Sequence, residues 1–183
     1  MPDVIATKCR EFQIDDGHPA AVVVEDLGVD WTFESLNQAF RHVLTGSALV
    51  AVQKNRYWRG PDGLTMDAGP FVAALEYASG KHAVTVGKPS PAFFAAAARS
   101  LDMPVSQMVM VGDDVTTDVR GAVAAGLRGV LVRTGKFRVE DLELARSDVV
   151  IDSVADLPVH ILGREPGKRP AAKGWLTCVH DTR

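Results

Sequence analysis

Three carboxylates in one short stretch are the residues best suited to chemistry in this sequence. The apolar run of residues 108–111 ends at Gly112, and Asp113, Asp114 and Asp118 follow it. Ligands of parallel α/β sheets collect at the carboxyl ends of strands. Clustered carboxylates are typical of a divalent cation site, and Mg²⁺ is usually bound by one or two carboxylates plus water and substrate phosphate. We therefore predict that Asp113 binds Mg²⁺ directly and that Asp114 or Asp118 lies in its first or second shell.

The spacing of these carboxylates also permits a purely structural interpretation. Asp114 or Thr116 would then cap the following helix, and the other carboxylates would be exposed to solvent. The sequence pattern alone leaves this alternative open.

Lys88 is the second candidate for chemistry. It follows the apolar stretch "HAVTVG" and precedes a helix that is expected to begin at Ser90 and Pro91. A cation at a strand end beside a helix N-terminus can hold a phosphoryl group and offset nearby carboxylates. The alternative is a surface lysine in a Gly-Pro turn. Because Lys88 and the Asp113–Asp118 stretch end successive strand–helix units, their joint occurrence favours phosphoryl chemistry.

The elements that would position these residues alternate between strand and helix. After residue 69 the sequence predicts helix, strand, helix, strand, helix, strand and a last apolar run at 148–154. This order is typical of βαβ units in a parallel sheet. The front portion predicts a helix over 31–45 and then a strand, a turn at residues 60–63 and a return strand.

The composition limits the functional classes. The chain has 183 residues, 46% of them hydrophobic, and a net charge of −3 with mixed signs. These values predict a folded protein with no nucleic-acid surface, and no apolar run approaches the roughly 20 residues that span a membrane. We also expect no signal peptide, so the predicted location is cytoplasmic. The spacing of Cys9 and Cys178 is not that of a metal site.

Two segments resemble the third and fourth motifs of the haloacid dehalogenase (HAD) superfamily of phosphohydrolases. They are residues 86–94, "VGKPSPAFF", and residues 109–137, "VMVGDDVTTDVRGAVAAGLRGVLVRTGKF". Residues before them are similar to the later part of the large α/β (C2-type) cap. The resemblance implies an α/β fold, namely a partial Rossmann-like (HAD) parallel-sheet core with a partial α/β cap. It further implies Mg²⁺ as cofactor, a small phosphorylated substrate, Asp113 and Asp114 as metal residues, and Lys88 and Asp118 as catalytic residues, Lys88 also binding substrate.

By this resemblance, residues 1–68 are a partial cap domain and residues 69–162 the C-terminal half of the core. Residues 163–183 are rich in Gly, Pro and basic residues and are expected to form a disordered tail. The family's nucleophilic Asp-x-Asp-Gly motif precedes the cap, so we expect no nucleophile in this chain. Asp15 and Asp16 superficially resemble that motif, but they are adjacent, and we interpret residues 15–17 as a turn.

Three functions remain in competition. The first is a Mg²⁺-dependent phosphohydrolase represented by a chain that is inactive alone. The second is a non-catalytic partner that associates with a full-length homologue. A homo-oligomer formed through the cap or an exposed core face is a further expected form of association. The third, a receiver domain with Asp152 as phosphoacceptor, leaves "GKPSP" unexplained.

Two further groups are candidates for contact with substrate: Thr134 and Lys136 at the rim, and the basic residues Lys54, Arg56 and Arg59 on a hairpin.

Overall fold

The computed structural model describes residues 12–15, 17–145 and 149–158 and the backbone of residues 178–179. Within these residues, none of the helices is long and apolar enough to cross a bilayer. The chain divides into two compact units, Met1–Gly87 and Lys88–Arg183. Each is described by itself, and the domain boundary predicted between residues 68 and 69 stays a prediction.

The first unit contains a parallel three-stranded sheet with the order β1-β2-β5. The strands are β1 (Ala21–Val24), β2 (Ala48–Ala51) and β5 (Val84–Thr85). Helices α1 (Phe33–Leu44) and α2 (Ala68–Ser79) contribute Val43, Val72 and Leu75 to a core shared with Val24, Leu49 and Ala51 of the sheet. The helix predicted over 31–45 is confirmed. Its N-terminus is fixed by a capping box in which Thr32 and Ser35 exchange hydrogen bonds.

Residues 57–66 of the first unit form the antiparallel hairpin β3 (Tyr57–Gly60) and β4 (Gly63–Met66). The turn predicted at residues 60–63 is confirmed, and Gly63 takes a positive φ of 119° that suits glycine. The single strand predicted before this turn is instead two strands, β2 and β3, which belong to different sheets. Gln53, which lies between these two strands, donates from Nε2 to the buried Asp67 carboxylate at 2.7 Å. The same carboxylate accepts from Ala68 N at 2.7 Å and caps α2.

The second unit contains a parallel sheet with the order β8-β7-β6-β9. Its strands are β6 (Val109–Gly112), β7 (Arg128–Val132), β8 (Val149–Ile151) and β9 (Cys178–Val179). Alternate residues of β6 enter two different cores: Met110 packs with Phe94, while Val109 and Val111 pack with Val130. Burial on both faces accounts for the unbroken apolar run.

The helices of the second unit are α3 (Pro91–Leu101), α4 (Gly121–Ala124) and α5 (Asp141–Leu144). Pro91 stands at the first turn of α3 as predicted, but the Ser90 side chain makes no capping hydrogen bond. The helix predicted after Asp114 begins as a wider π-helical turn, Val115–Arg120, and becomes α-helical at Gly121. At Gly121 a side chain would overlap Pro89, so the close approach of Pro89 requires glycine there. Single π-turns are frequent at functional sites.

The acidic strand β6 is paired on both sides. Beyond β7, β9 pairs with β6 through Met110↔Cys178 and Val111↔Val179. At these two positions β6 therefore has a hydrogen-bonded neighbour on the side away from β7. Apart from residues 178 and 179, the predicted disordered tail of residues 163–183 lies outside the described residues.

Candidate functional site

The predicted acidic residues lie at the carboxyl end of β6, which ends at Gly112. A Cβ atom on Gly112 would overlap the Asp118 carboxylate, so this glycine lets the π-helical turn fold back over the strand end. The Asp114 amide donates to Asp118 Oδ2 at 3.3 Å. Asp118 is thus held against the end of β6 by its own chain segment.

Lys88 and Asp118 form an ion pair. Lys88 Nζ lies 2.7 Å from Asp118 Oδ1, and the two side chains are 17% and 6% exposed. The structure therefore brings together two residues that are 30 positions apart in the sequence. The alternative of a solvent-exposed Lys88 is wrong, and so is the alternative of an exposed Asp118.

The Asp118 carboxyl has an unusual environment. Burial raises the pKa of Asp118 above its ordinary value, while the Lys88 ammonium and the amide of Asp114 act in the opposite direction. A mostly buried carboxylate that is compensated by one lysine fixes the position of that lysine. The Lys88 side chain as a whole remains 17% exposed.

Asp113 is held by the loop that follows β7. The Lys136 amide donates to Asp113 Oδ2 at 2.7 Å. Gly135 has a φ of 60°, and a Cβ atom there would overlap the same carboxylate. Among the described residues, no hydrogen-bond or ion-pair partner contacts the other oxygen, Oδ1. Asp113 is therefore oriented through its Oδ2 oxygen.

Asp114 has a structural role that the sequence analysis left as an alternative. Its Oδ1 accepts from the amides of Thr116 and Thr117, both at 3.0 Å, and so caps the π-helical turn. Its Oδ2 lies 3.8 Å from Lys136 Nζ. The helix-cap interpretation is confirmed for Asp114, and both of its oxygens have partners.

The carboxylates at this strand end suit Mg²⁺, which takes many of its ligands from water and phosphate. They do not suit a metal ion whose ligands all come from protein side chains. Within the described part of the chain, no group of three or more His, Cys, Asp or Glu side chains is arranged to hold a metal ion. Asp113 offers one oxygen at a strand end, and hard oxygen donors from water and phosphate complete typical Mg²⁺ sites. The residues present therefore fit Mg²⁺ held by one carboxylate with non-protein ligands.

The rim residues and the turn at residues 15–17 were further features predicted from the sequence. Of the two rim residues, Lys136 reaches the acidic residues, whereas the interaction described for Thr134 is the bond from Phe137 N to its carbonyl. Gly17 N donates to Asp15 Oδ1 at 2.8 Å, a bond that agrees with the turn predicted at residues 15–17, while Asp16 lies outside the described residues.

The basic residues of the hairpin lie in the first unit. Lys54 and Arg56 line a pocket of about 560 Å³ beside β3, β4 and the start of α2. Lys54 is also paired with Glu76 at 2.8 Å. No described contact tests a role for this hairpin in binding substrate.

Sequence reasoning missed Gly112 and Gly135, the two glycines that give the carboxylates room. Each follows or ends an apolar strand, which is a weak signal, because glycine is common in such turns for many reasons. Their role is visible only in the structure, where a Cβ atom at Gly112 would overlap Asp118 and a Cβ atom at Gly135 would overlap Asp113.

Part of the chain matches the model of a known protein family. Residues 85–157 match the sequence model of the HAD-hydrolase-like family. This segment contains Lys88, Asp113, Asp114, Asp118 and Lys136.

Curated relatives match over more of the chain. Human phospholysine phosphohistidine inorganic pyrophosphate phosphatase is 40% identical over 148 residues, which are 79% of this chain and 55% of the relative. Bovine haloacid dehalogenase-like hydrolase domain-containing protein 2 is 46% identical over 128 residues, 70% of this chain and 49% of the relative. The chain thus spans about half the length of the curated relatives it matches.

Solved phosphatase structures share the fold. A 4-nitrophenylphosphatase from Thermotoga maritima matches with a TM-score of 0.76 and 29% identity, covering 84% of this chain and 60% of that protein. A glycerol phosphate phosphatase from Mycobacterium tuberculosis, solved in complex with magnesium, matches with a TM-score of 0.64 and 32% identity, covering 72% and 39%. The predicted α/β class and the resemblance to HAD phosphohydrolases are confirmed.

Proposed function

We propose that this chain, a relative of the HAD-type phosphatases, supplies the Mg²⁺-binding and phosphoryl-binding part of a phosphohydrolase site. The observation that carries this proposal is the Lys88–Asp118 pair of 2.7 Å at the strand end that also presents Asp113. The substrate class is a small phosphate monoester or a related phosphoryl compound. The glycerol phosphate phosphatase with bound magnesium supports the choice of cofactor.

Each residue has a distinct role in this proposal. Asp113 binds Mg²⁺ through the oxygen that Lys136 does not engage. Mg²⁺, when bound, neutralises the negative charge of the phosphoryl group. Lys88 binds a phosphoryl oxygen with its ammonium, and Asp118 keeps that ammonium in position. Asp114 supports the site as a cap and as a second acidic residue near the metal.

The nucleophile is the component that these residues do not supply. The 183-residue sequence contains no Asp-x-Asp pattern. We infer that residues 1–68 are the later part of a cap and that residues 69–162 are one half of a catalytic core. A nucleophilic aspartate from outside these 183 residues would complete covalent catalysis.

A matched set of variants tests the proposal with 4-nitrophenyl phosphate as substrate. The unsubstituted chain, Asp113→Asn and Asp152→Asn are assayed with and without Mg²⁺. Asp152 is the control, because it also follows a strand but pairs with Arg133 at 2.7 Å. We expect no turnover in any of the three, since the nucleophile is absent.

Turnover would change the account in one of two ways. Mg²⁺-dependent turnover that only Asp113→Asn abolishes would support the metal role and show that a nucleophile lies within the chain, with Asp15 and Asp16 to be replaced next. Turnover that survives in Asp113→Asn would contradict the proposed function. If the chain is inactive but co-purifies with a full-length homologue, the non-catalytic partner role gains support.

A further inference from the structure

Lys136 contacts both adjacent aspartates at the end of β6. Its amide donates to Asp113 Oδ2 at 2.7 Å, and its ammonium lies 3.8 Å from Asp114 Oδ2. The Lys136 side chain is only 13% exposed, so it is packed into the site and does not extend into solvent. The loop is anchored by Phe137, which packs against Val115, Val119 and Leu131.

These contacts make the two neighbouring carboxylates unequal. Asp113 has one oxygen engaged and one available among the described residues. Asp114 has Oδ1 engaged by two amides and Oδ2 facing the ammonium. A metal ion would have to displace the Lys136 ammonium to reach Asp114, but nothing comparable blocks Asp113.

The net charge of the site is also consistent with unequal roles for Asp113 and Asp114. Asp113, Asp114 and Asp118 bring three negative charges, and Lys88 and Lys136 bring two positive ones. One net negative charge attracts a divalent cation while leaving the occupied site able to accept a phosphate group. Without the Lys136 ammonium, the site would bind the cation more tightly and repel the phosphate more strongly.

We infer that Lys136 is a positioning residue that keeps Asp114 out of the metal shell and leaves Asp113 as the one carboxylate that binds Mg²⁺ directly. This inference rests on the proposed function, because it takes Asp113 as the metal ligand. Lys136 acts through the carboxylates and has no contact of its own with the metal. Its ammonium thereby sets the balance between metal affinity and phosphate affinity.

Mg²⁺ affinity, measured by calorimetry on the 183-residue chain, tests this inference without requiring turnover. Lys136→Met removes the ammonium but keeps the amide that orients Asp113. We expect Lys136→Met to bind Mg²⁺ about threefold to thirtyfold more tightly than the unsubstituted chain, since a positive charge is lost and Asp114 is released. Arg133→Met is the control. It removes a positive charge from the residue that follows β7, where Arg133 pairs with Asp152, and it should leave the Mg²⁺ affinity unchanged.

A double variant separates positioning from general damage. Adding Asp114→Asn to Lys136→Met should abolish the gain in affinity, because the released carboxylate is then neutral. Weaker or unchanged Mg²⁺ binding in Lys136→Met would overturn the inference while leaving the proposed function intact. Asp113→Asn distinguishes the two failures: if it binds Mg²⁺ as well as the unsubstituted chain does, the proposed function itself fails.

Discussion

Two glycines determine where the carboxylates of the site can lie. Gly112 gives room to Asp118, and Gly135 gives room to Asp113. Each contact is between a glycine backbone and a carboxylate, so a side chain at either position would push a charged group out of place. The site therefore depends on the small size of these two glycines as well as on its charged side chains.

Gly135→Ala should impair Mg²⁺ binding through the displacement of Asp113. Alanine at a φ of 60° also costs about 1 kcal/mol of folding stability. Gly28→Ala is the matched control, because Gly28 has a φ of 54° and open space around its Cβ position. We expect both variants to lose similar stability in urea unfolding, but only Gly135→Ala to weaken Mg²⁺ affinity, by at least tenfold. Equal Mg²⁺ affinity in the two variants would contradict the close contact with Asp113.

The elements of the second unit follow from a simple apolar pattern. The run that forms β6 is buried on both faces, and glycine at 126, with a φ of 90°, ends the helical segment before β7. The sequence therefore predicts the order of strands and helices and places Lys88 and Asp113 at strand ends. It does not predict the π-helical turn. Nor does it predict the close approach of Pro89 to Gly121 at the end of that turn, because the two residues are distant in sequence.

Features outside the local pattern were also missed in the first unit. Strand β1 follows a turn-rich segment, and its four residues form a strand because they pair with β2 over Ala21↔Ala48 to Val24↔Ala51. Such pairing is a tertiary effect that a four-residue apolar stretch does not specify. In the second unit, the sequence predicted Lys136 only as a rim residue, because its contacts with Asp113 and Asp114 require the loop after β7 to meet the end of β6.

Helix α3 is attached to the sheet by Phe94. This side chain is 1% exposed and packs with Met108, Met110 and Leu127, whereas its neighbour Phe93 is 37% exposed. Phe94→Ala should lower the free energy of unfolding by about 3–5 kcal/mol through loss of burial and cavity formation. Phe93→Ala should cost clearly less. Comparable losses in chemical unfolding would show that α3 does not pack on the sheet as described.

Glu76 connects α2 to the segment before β5. Its carboxylate accepts from Lys54 Nζ at 2.8 Å and from the Ala83 amide at 2.8 Å. Partial burial raises the pKa of Glu76, but the hydrogen bonds from Lys54 and Ala83 and the positive charges of Lys54 and His82 outweigh it, so the pKa lies below the ordinary value of 4.5.

A lowered carboxylate pKa stabilises the folded state above pH 4.5, and that stability is lost as the pH falls through the lowered pKa. Glu76→Gln should therefore be less stable than the unsubstituted chain at pH 7, by about 1 kcal/mol or less because the pair is partly exposed. The difference should shrink as the pH falls below 4.5. Urea unfolding at pH 7, 5 and 3 measures it, and a difference that grows towards pH 3 would contradict the assigned contacts.

In the whole molecule, the function we propose rests on residues of one compact unit, Lys88–Arg183, and takes its nucleophile from outside these residues. Lys88, Asp113 and Asp118 all lie in the unit Lys88–Arg183. Their mutual contacts depend on β6, the π-helical turn and the loop after β7, all within that unit. We therefore expect ligand binding by this chain to be separable from turnover.

Calorimetry of orthophosphate binding in the presence and absence of Mg²⁺ tests whether Lys88 binds the phosphoryl group. The informative variant is Lys88→Met combined with Asp118→Asn, which removes the ammonium without leaving a buried carboxylate unpaired. Lys54→Met is the control, since it removes a lysine from the ion pair with Glu76. We expect orthophosphate binding to require Mg²⁺. The affinity for orthophosphate should fall at least tenfold in the double variant and be unchanged in Lys54→Met. Binding that is equally strong in the double variant would contradict the assignment of Lys88 as the phosphoryl-binding residue.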